Sequence, residues 1–348
     1  MKGLLMELSV IVITRNEEAA IGSCLESVLK QTEGLEREVI LVDSASTDRT
    51  VEIARRYPIT IIRIDACSGY SPAAGRYVGT KRATGKYVLF LDGDNILIEG
   101  WLQTALTHFQ DETVAAIAGR IFVVLPGEEL SFKHPPRYIP GKAKYLPTAG
   151  MYRMSVIQKV GTFNPFVRGE EERELAFRIT EGGFSILRLD TPMVYHVMKP
   201  RTKSEQDEKA GYFTGLGQIF RRYGFRSISW DLIVAQRKTF AVNGMVAVVA
   251  CLLIAFLALK LIGLFLVLLS VAALAIVLLA IRKGWMRAFL FFRGEFLRAR
   301  NIILGFRRGI PKAEDFWATT ADVAGAGVIP ESPPASRQGA LRTTRLQP

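Results

Sequence analysis

Two carboxylates separated by a single glycine, Asp92-Gly93-Asp94, follow the apolar run Val88-Leu89-Phe90-Leu91. A buried strand that ends there delivers both acids to the rim of a sheet, within reach of ligands. Hard divalent cations prefer carboxylate oxygens, and Mg²⁺ or Mn²⁺ commonly bridges one or two carboxylates to phosphate oxygens. Gly93 removes a side chain where a ligand would approach. A polar turn after a strand has the same composition, so the triplet alone leaves both readings open. Two further polar groups end apolar runs in the same way: Thr14-Arg15-Asn16-Glu17 and Asp43-Ser44-Ala45-Ser46.

These three groups need a sheet to bring them together. The pattern predicts strands at Ser9–Thr14, Glu38–Asp43, Ile59–Ile64 and Tyr87–Leu91. Between them lie a helix with Ile21, Leu25, Val28 and Leu29 on one face, a helix over Asp48–Tyr57, and a helix opened by Pro72 and running to about Ala83. Asn16 is the candidate cap of the first helix, and Ser46 or Thr47 of the second. Alternating strands and helices with short links imply an α/β domain with a mostly parallel sheet. Ligands of such sheets sit outside the carboxyl ends of the strands, where all three polar groups fall. Beyond Gly119, residues 126–147 hold five prolines and the basic residues Lys133, His134, Arg137, Lys142 and Lys144, which reads as a long functional or disordered loop. A helix over Gly169–Glu181, a strand at Ser185–Leu189, then Tyr195-His196 and a polar helix over about Lys203–Tyr223 complete a domain spanning 1–230.

The rest of the 348-residue chain differs in composition. From Phe240 to Ile281 nearly every residue is apolar or small. A bilayer crossing takes about 20 apolar residues, so the run predicts a two-helix transmembrane hairpin within 240–282. Arginines and lysines flank both open ends, including Arg237, Lys238, Arg282 and Lys283, which predicts a multi-pass inner- or plasma-membrane protein with a cytoplasmic catalytic domain. The net charge of +12 then reads as attraction to anionic lipid, with no nucleic-acid partner. Trp285, Phe289, Phe292, Phe296 and Ile303 recur at helical spacing within 284–308, with Arg293, Arg300 and Arg307 elsewhere on the wheel. This fits a basic amphipathic helix on a membrane surface, or a helix packed on the catalytic domain. Residues 311–348 carry little apolar pattern and read as a disordered tail. The three cysteines are scattered and fit a reducing compartment.

The N-terminal domain resembles the family 2 glycosyltransferases, inverting enzymes of the GT-A fold, a Rossmann-like nucleotide-diphospho-sugar transferase architecture. The matching residues are Val10 to Glu17, Val42 to Thr50, Ala73-Ala74-Gly75-Arg76 and Ala83 to Asp94. The resemblance implies that Thr14, Asn16 and Glu17 line the nucleotide pocket. Asp43 would hold the base or ribose, with a turn or capping acid as the alternative. Arg76 would lie close to the nucleotide, with an ordinary surface arginine as the alternative. Asp92 would contact the donor, and Asp94 would coordinate Mg²⁺ or Mn²⁺ on the diphosphate. His196 would reach the metal or the diphosphate, or serve structure alone.

The same family places its catalytic base in a Glu-Asp pair that opens a helix. Anchoring on Glu174, Leu175 and Arg178 puts Glu172 at the base position and Glu171 before it, a departure that leaves both as candidates. A solvated first turn is the structural alternative. Gln218-Ile219-Phe220-Arg221-Arg222 faintly echoes the Gln-x-x-Arg-Trp motif of processive synthases, but lacks its Trp. The expected function is transfer of a sugar from a UDP- or GDP-sugar to a lipid or lipid-linked acceptor. A nucleotidyltransferase on a similar fold and a catalytically inactive scaffold are the alternatives.

Overall fold

The structure, a computed structural model, describes residues 7–64, 71–125, 127–132, 139–146, 149–199, 213–224, 226–258, 262–283, 285–310 and 320–322. The first half alternates β1 (Leu8–Thr14), α1 (Ile21–Gln31), β2 (Arg37–Asp43), α2 (Thr50–Ala54), β3 (Thr60–Ile64), α3 (Pro72–Arg82) and β4 (Tyr87–Asp92). Then come β5 (Asn95–Leu97), α4 (Trp101–His108), β6 (Val114–Val124), β7 (Gly141–Lys142), β8 (Gly150–Arg153) and α5 (Met154–Val160). The acid-rich helix α6 (Glu171–Glu181) and the long strand β9 (Ser185–Val197) follow. The chain continues through α7 (Thr214–Tyr223), α8 (Ser227–Ala235), α9 (Arg237–Ala258), α10 (Ile262–Lys283), α11 (Trp285–Arg308) and β10 (Thr320–Asp322).

The strands form one sheet in the order β10-β3-β2-β1-β4-β8-β6-β9-β5, with β7 on β9. Strands β3, β2, β1 and β4 are parallel, as their apolar runs predict for strands covered on both faces. The mostly parallel expectation stops there. Strand β8 is antiparallel to both β4 and β6, while β6 and β9 are parallel, so the sheet is mixed. The core runs along the sheet, and every residue of β1 is buried. A smaller cluster of Phe177, Leu216, Ile219, Ile228 and Leu232 joins α6 to α7 and α8.

Several local expectations change. Asn16 caps no helix: α1 starts at Ile21 without a side-chain cap. Asn16 is instead left-handed, at φ 54°. Neither Ser46 nor Thr47 caps α2; Asp48 accepts from the backbone N–H of Thr50 at 3.0 Å. Pro72 does open α3 as expected, and Ser71 before it caps the helix by accepting from the N–H of Ala74 at 3.1 Å. The strand expected to end at Leu189 continues to Val197. Within it, Pro192 sits at a register shift opposite Arg120, where a missing N–H is tolerated.

The transmembrane hairpin is corrected. Among the described residues no helix is long and apolar enough to cross a membrane. The multi-pass membrane placement rested on that hairpin and is withdrawn with it. Helix α11 packs on α7, with Asn301 and Gly305 buried and Phe296, Ile303 and Phe306 exposed. Lys133, His134, Arg137 and the first part of the expected helix at 203–223 lie outside the described residues, as does the tail apart from β10.

Candidate active site

Strand register assembles the first part of the site. Thr14 is paired with Asp43, and Ile13 with Asp92, so the ends of β2, β1 and β4 lie side by side. The loops that follow are tied to one another. Asn16 donates its N–H to Ser46 Oγ at 2.9 Å and accepts from the N–H of Thr47 at 2.8 Å through Oδ1. Asparagine tolerates the left-handed backbone this requires. Gly93 donates its N–H to the Ile13 carbonyl at 2.8 Å, and a Cβ at Gly93 would lie 2.7 Å from Thr14 Oγ1. The acidic turn therefore presses against the end of β1, and only glycine fits between them.

Asp43 is fully buried. Its Oδ2 accepts from the N–H of Ser46 at 3.1 Å and from Arg63 Nε at 3.2 Å. Its Oδ1, and Thr14 Oγ1 beside it, are buried with no hydrogen-bond partner among the described residues. Buried polar atoms are nearly always satisfied, so two orphans on neighbouring strand ends mark a place where an outside donor is missing.

Asp94 and His196 meet on the other side of the triplet. The pairing of β5 with β9 sets Asn95 opposite His196. His196 Nε2 then lies 3.1 Å from Asp94 Oδ2, and Asn95 donates to Asp94 Oδ1 at 3.0 Å. Both side chains keep part of their surface open. Adjacent ligands of an octahedral cation at about 2.1 Å stand about 3 Å apart. The 3.1 Å between this carboxylate and imidazole is the separation of a hydrogen-bonded pair and also that of two neighbouring ligands of one ion. No group of three or more such ligands occurs among the described residues.

Behind the triplet, Arg76 is buried and holds three carboxylates. Its Nη2 donates to Asp92 Oδ1 at 3.0 Å, and its Nη1 donates to Glu171 Oε1 at 2.8 Å and lies 3.2 Å from Glu172 Oε1. The guanidinium also lies over the Phe163 ring, 5.5 Å from its centre. Burial works against the charge of Arg76, but Glu172, Asp92 and Glu171 reverse that and leave its pKa raised. Burial, then Glu172, pushes the Glu171 carboxyl well above the usual range, against the pull of Arg76. Asp92 is pushed up chiefly by burial, with Arg76 opposing and Asp94 adding. Of the two helix acids, Glu172 keeps 15% of its side chain exposed and Glu171 only 6%.

Glu17 faces a cation the sequence did not single out. Lys199 Nζ donates to Glu17 Oε1 at 2.8 Å and to the Asn16 carbonyl at 2.5 Å. Burial pushes the Glu17 carboxyl up to about 7, Lys199 opposes, and Asp94 and Asp92 add to the rise. Lys199 had no sequence signal beyond standing three residues after His196. Arg63 and Phe163 carried none, because each is recruited from a distant segment.

Every expected site residue is thus placed, in two neighbouring groups that share Asp92. Thr14, Asn16, Glu17, Asp43, Asp92, Asp94 and His196 line the strand ends; Arg76, Glu171 and Glu172 form the acid cluster. Arg76 is buried, not a surface arginine, and it links the two groups.

Comparison with known proteins agrees with this architecture. Residues 9–164 match the family model described as glycosyl transferase family 2. A pre-mycofactocin glycosyltransferase of Mycobacterium tuberculosis is 27% identical over 223 residues, covering 59% of this chain and 46% of that protein. The chain therefore spans about half the length of that curated relative. The poly(ribitol-phosphate) beta-N-acetylglucosaminyltransferase TarS of Staphylococcus aureus is 37% identical over 113 residues, 31% of this chain and 19% of TarS. Among solved structures, the mannosyltransferase PcManGT of Pyrobaculum calidifontis, in complex with GDP-Man and Mn²⁺, superposes with a TM-score of 0.55 at 19% identity, over 85% of this chain and 87% of that one. The motifs at the strand ends, the sheet that carries them and these similarities agree: residues 9–164 form a domain of the glycosyl transferase family 2 kind.

Proposed function

We propose that the chain transfers a sugar from a nucleotide-diphosphate donor to an acceptor hydroxyl by a single, inverting displacement. The observation that carries this reading is the Arg76 clamp. One buried guanidinium ties Asp92 of the donor-side triplet to Glu171 and Glu172 of the acid helix. A donor acid and a candidate base are thereby held on one anchor, as a displacement between two substrates requires.

In this reading the unsatisfied Asp43 Oδ1 and Thr14 Oγ1 receive hydrogen bonds from the base or ribose of the donor. Asn16 shapes the loop over that pocket. Asp92 faces the donor sugar, while Asp94 and His196 would hold Mg²⁺ or Mn²⁺ against the diphosphate. Such an ion, when bound, offsets the negative charge that develops on the departing diphosphate. Lys199 supplies a protein cation on the same side, held by Glu17 when no phosphate competes for it. Glu172, the more exposed of the two acids, takes the proton of the attacking hydroxyl. Glu171 holds Arg76 in place, and its raised pKa favours the protonated form that makes a poor base at neutral pH.

The acceptor we assign is lipid or lipid-linked. Support comes from the exposed apolar side chains of α9 and α10, among them Met245, Val248, Val271 and Leu274. Large exposed apolar surface commonly marks a binding site. A nucleotidyltransferase has no use for an acid pair clamped behind the donor triplet, and an inactive scaffold would not need one.

The test is a panel of UDP- and GDP-sugars, GDP-mannose included, supplied with Mn²⁺ and either lipid extract or water-soluble hydroxyl acceptors. We expect nucleoside diphosphate to be released with at least one donor, with the sugar recovered in the lipid fraction. Release of pyrophosphate in place of nucleoside diphosphate would sink the transferase reading. Sugar found only on soluble acceptors would sink the lipid assignment.

A further inference from the structure

The helix that carries Glu171 and Glu172 starts from an unusual turn. Gly169 and Glu170 are both left-handed, at φ 89° and φ 61°. Glu170, the residue before the helix, makes no side-chain cap. A left-handed glutamate persists only where its surroundings impose it. Those surroundings are the first two turns of α7. Gly215 donates its N–H to the Arg168 carbonyl at 2.8 Å. A Cβ at Gly215 would strike the carbonyls of Gly169 and Arg168, so helix backbone lies directly on the turn.

Gln218 completes the clamp. It is 4% exposed. Its Oε1 accepts from the N–H of Arg168 at 3.1 Å, and its Nε2 donates to the carbonyls of Phe166 and Gly309, each at 2.9 Å. One amide thus satisfies both sides of the 166–168 segment and binds it to the end of the C-terminal helix. That helix is seated just as closely. A Cβ at Gly217 would strike the Ile302 carbonyl, and one at Gly305 the Thr214 carbonyl. Arg221 donates to the carbonyls of Phe306, at 3.2 Å, and Arg307.

We propose that Gln218 is a positioning residue for the reaction: it fixes the turn that aims Glu171 and Glu172 at Arg76, with α11 as its backing. The inference rests on the reading of Glu172 as base. It gives the Gln218–Arg222 segment a role that requires no processive motif. Only an amide fits, because the site asks for one acceptor and two donors from a single planar group.

The test compares Gln218→Met, Gln218→Glu, Arg221→Ala and Glu172→Gln, using the donor that turns over in the panel. Misplacing a catalytic group by about 1 Å costs about 100-fold, so Gln218→Met should lose about that much in kcat. Its affinity for Mn²⁺ and GDP or UDP should stay within about twofold of the parent, as expected for a group that acts after donor binding. Arg221→Ala removes only the two bonds to the end of α11 and leaves the Gln218 amide in place, so it should lose less kcat than Gln218→Met; an equal or larger loss overturns the assignment to Gln218. Gln218→Glu should lose kcat at neutral pH and recover relative to the parent as the pH falls, since protonation restores a donor. A parental kcat in Gln218→Met, an equal loss of nucleotide affinity, or a flat pH ratio for Gln218→Glu overturns the inference. If Glu172→Gln is inactive while Gln218→Met is parental, the positioning role alone fails. If Glu172→Gln itself turns over normally, the base reading fails and takes this inference with it.

Discussion

Glu172→Gln should lower kcat by about 10²–10⁴-fold, the range that a positioned general base contributes, while nucleotide affinity is unchanged. The amide has nearly the shape of the acid but cannot take a proton at neutral pH. Glu172 lies 3.2 Å from Arg76 Nη1 and is the more exposed of the two acids, so the substitution touches the clamp least. Glu171→Gln should cost far less. Glu171 is buried, and burial and Glu172 already drive it toward the neutral form, which glutamine imitates. Pre-steady-state single turnovers separate the two, because product release then cannot hide the chemical step. If Glu171→Gln is the inactive variant and Glu172→Gln is not, the base lies one residue earlier.

Arg76→Met should remove both stability and turnover. The guanidinium is 1% exposed and touches Asp92, Glu171 and Glu172. Methionine fills much of the space but leaves buried acids without a counter-charge. Breaking a buried pair in this way costs about 3–5 kcal/mol. Part of that cost is avoided if Glu171 and Asp92 take up protons, so the loss should be smaller at acidic than at neutral pH. The sign follows from proton binding. Without Arg76 the carboxyl pKa values rise in the folded state, so the folded protein binds more protons and loses stability as pH increases. Denaturant unfolding at several pH values reads this directly. A variant as stable as the parent at neutral pH would show that the clamp carries no charge burden.

The parallel half of the fold was legible because its strands are continuous apolar runs ending in polar groups. The runs that end at Thr14, Asp43 and Asp92 became neighbouring strand ends. The β8, β6 and β9 arrangement was not legible, because antiparallel insertion and the Pro192 irregularity depend on pairing partners far away in the chain. Asn16 misled as a helix cap, since a residue suited to capping is equally suited to a left-handed turn bonded to the next loop. The guanidinium of Arg76 and the lysine bound to Glu17 depend on contacts across 95 and 182 residues, which no local pattern records. The apolar stretch from Phe240 to Ile281 was read by hydropathy alone, and the described portions of its helices do not make a crossing.

The most direct test of the donor site is calorimetric binding of GDP-mannose and a UDP-sugar, each with and without Mn²⁺, to the parent protein and to Asp94→Ala. One donor should bind the parent far more tightly with Mn²⁺ than without it, and Asp94→Ala should abolish this difference and leave the weak metal-free affinity intact. Parental, Mn²⁺-dependent binding in Asp94→Ala would show that Asp94 does not hold the metal.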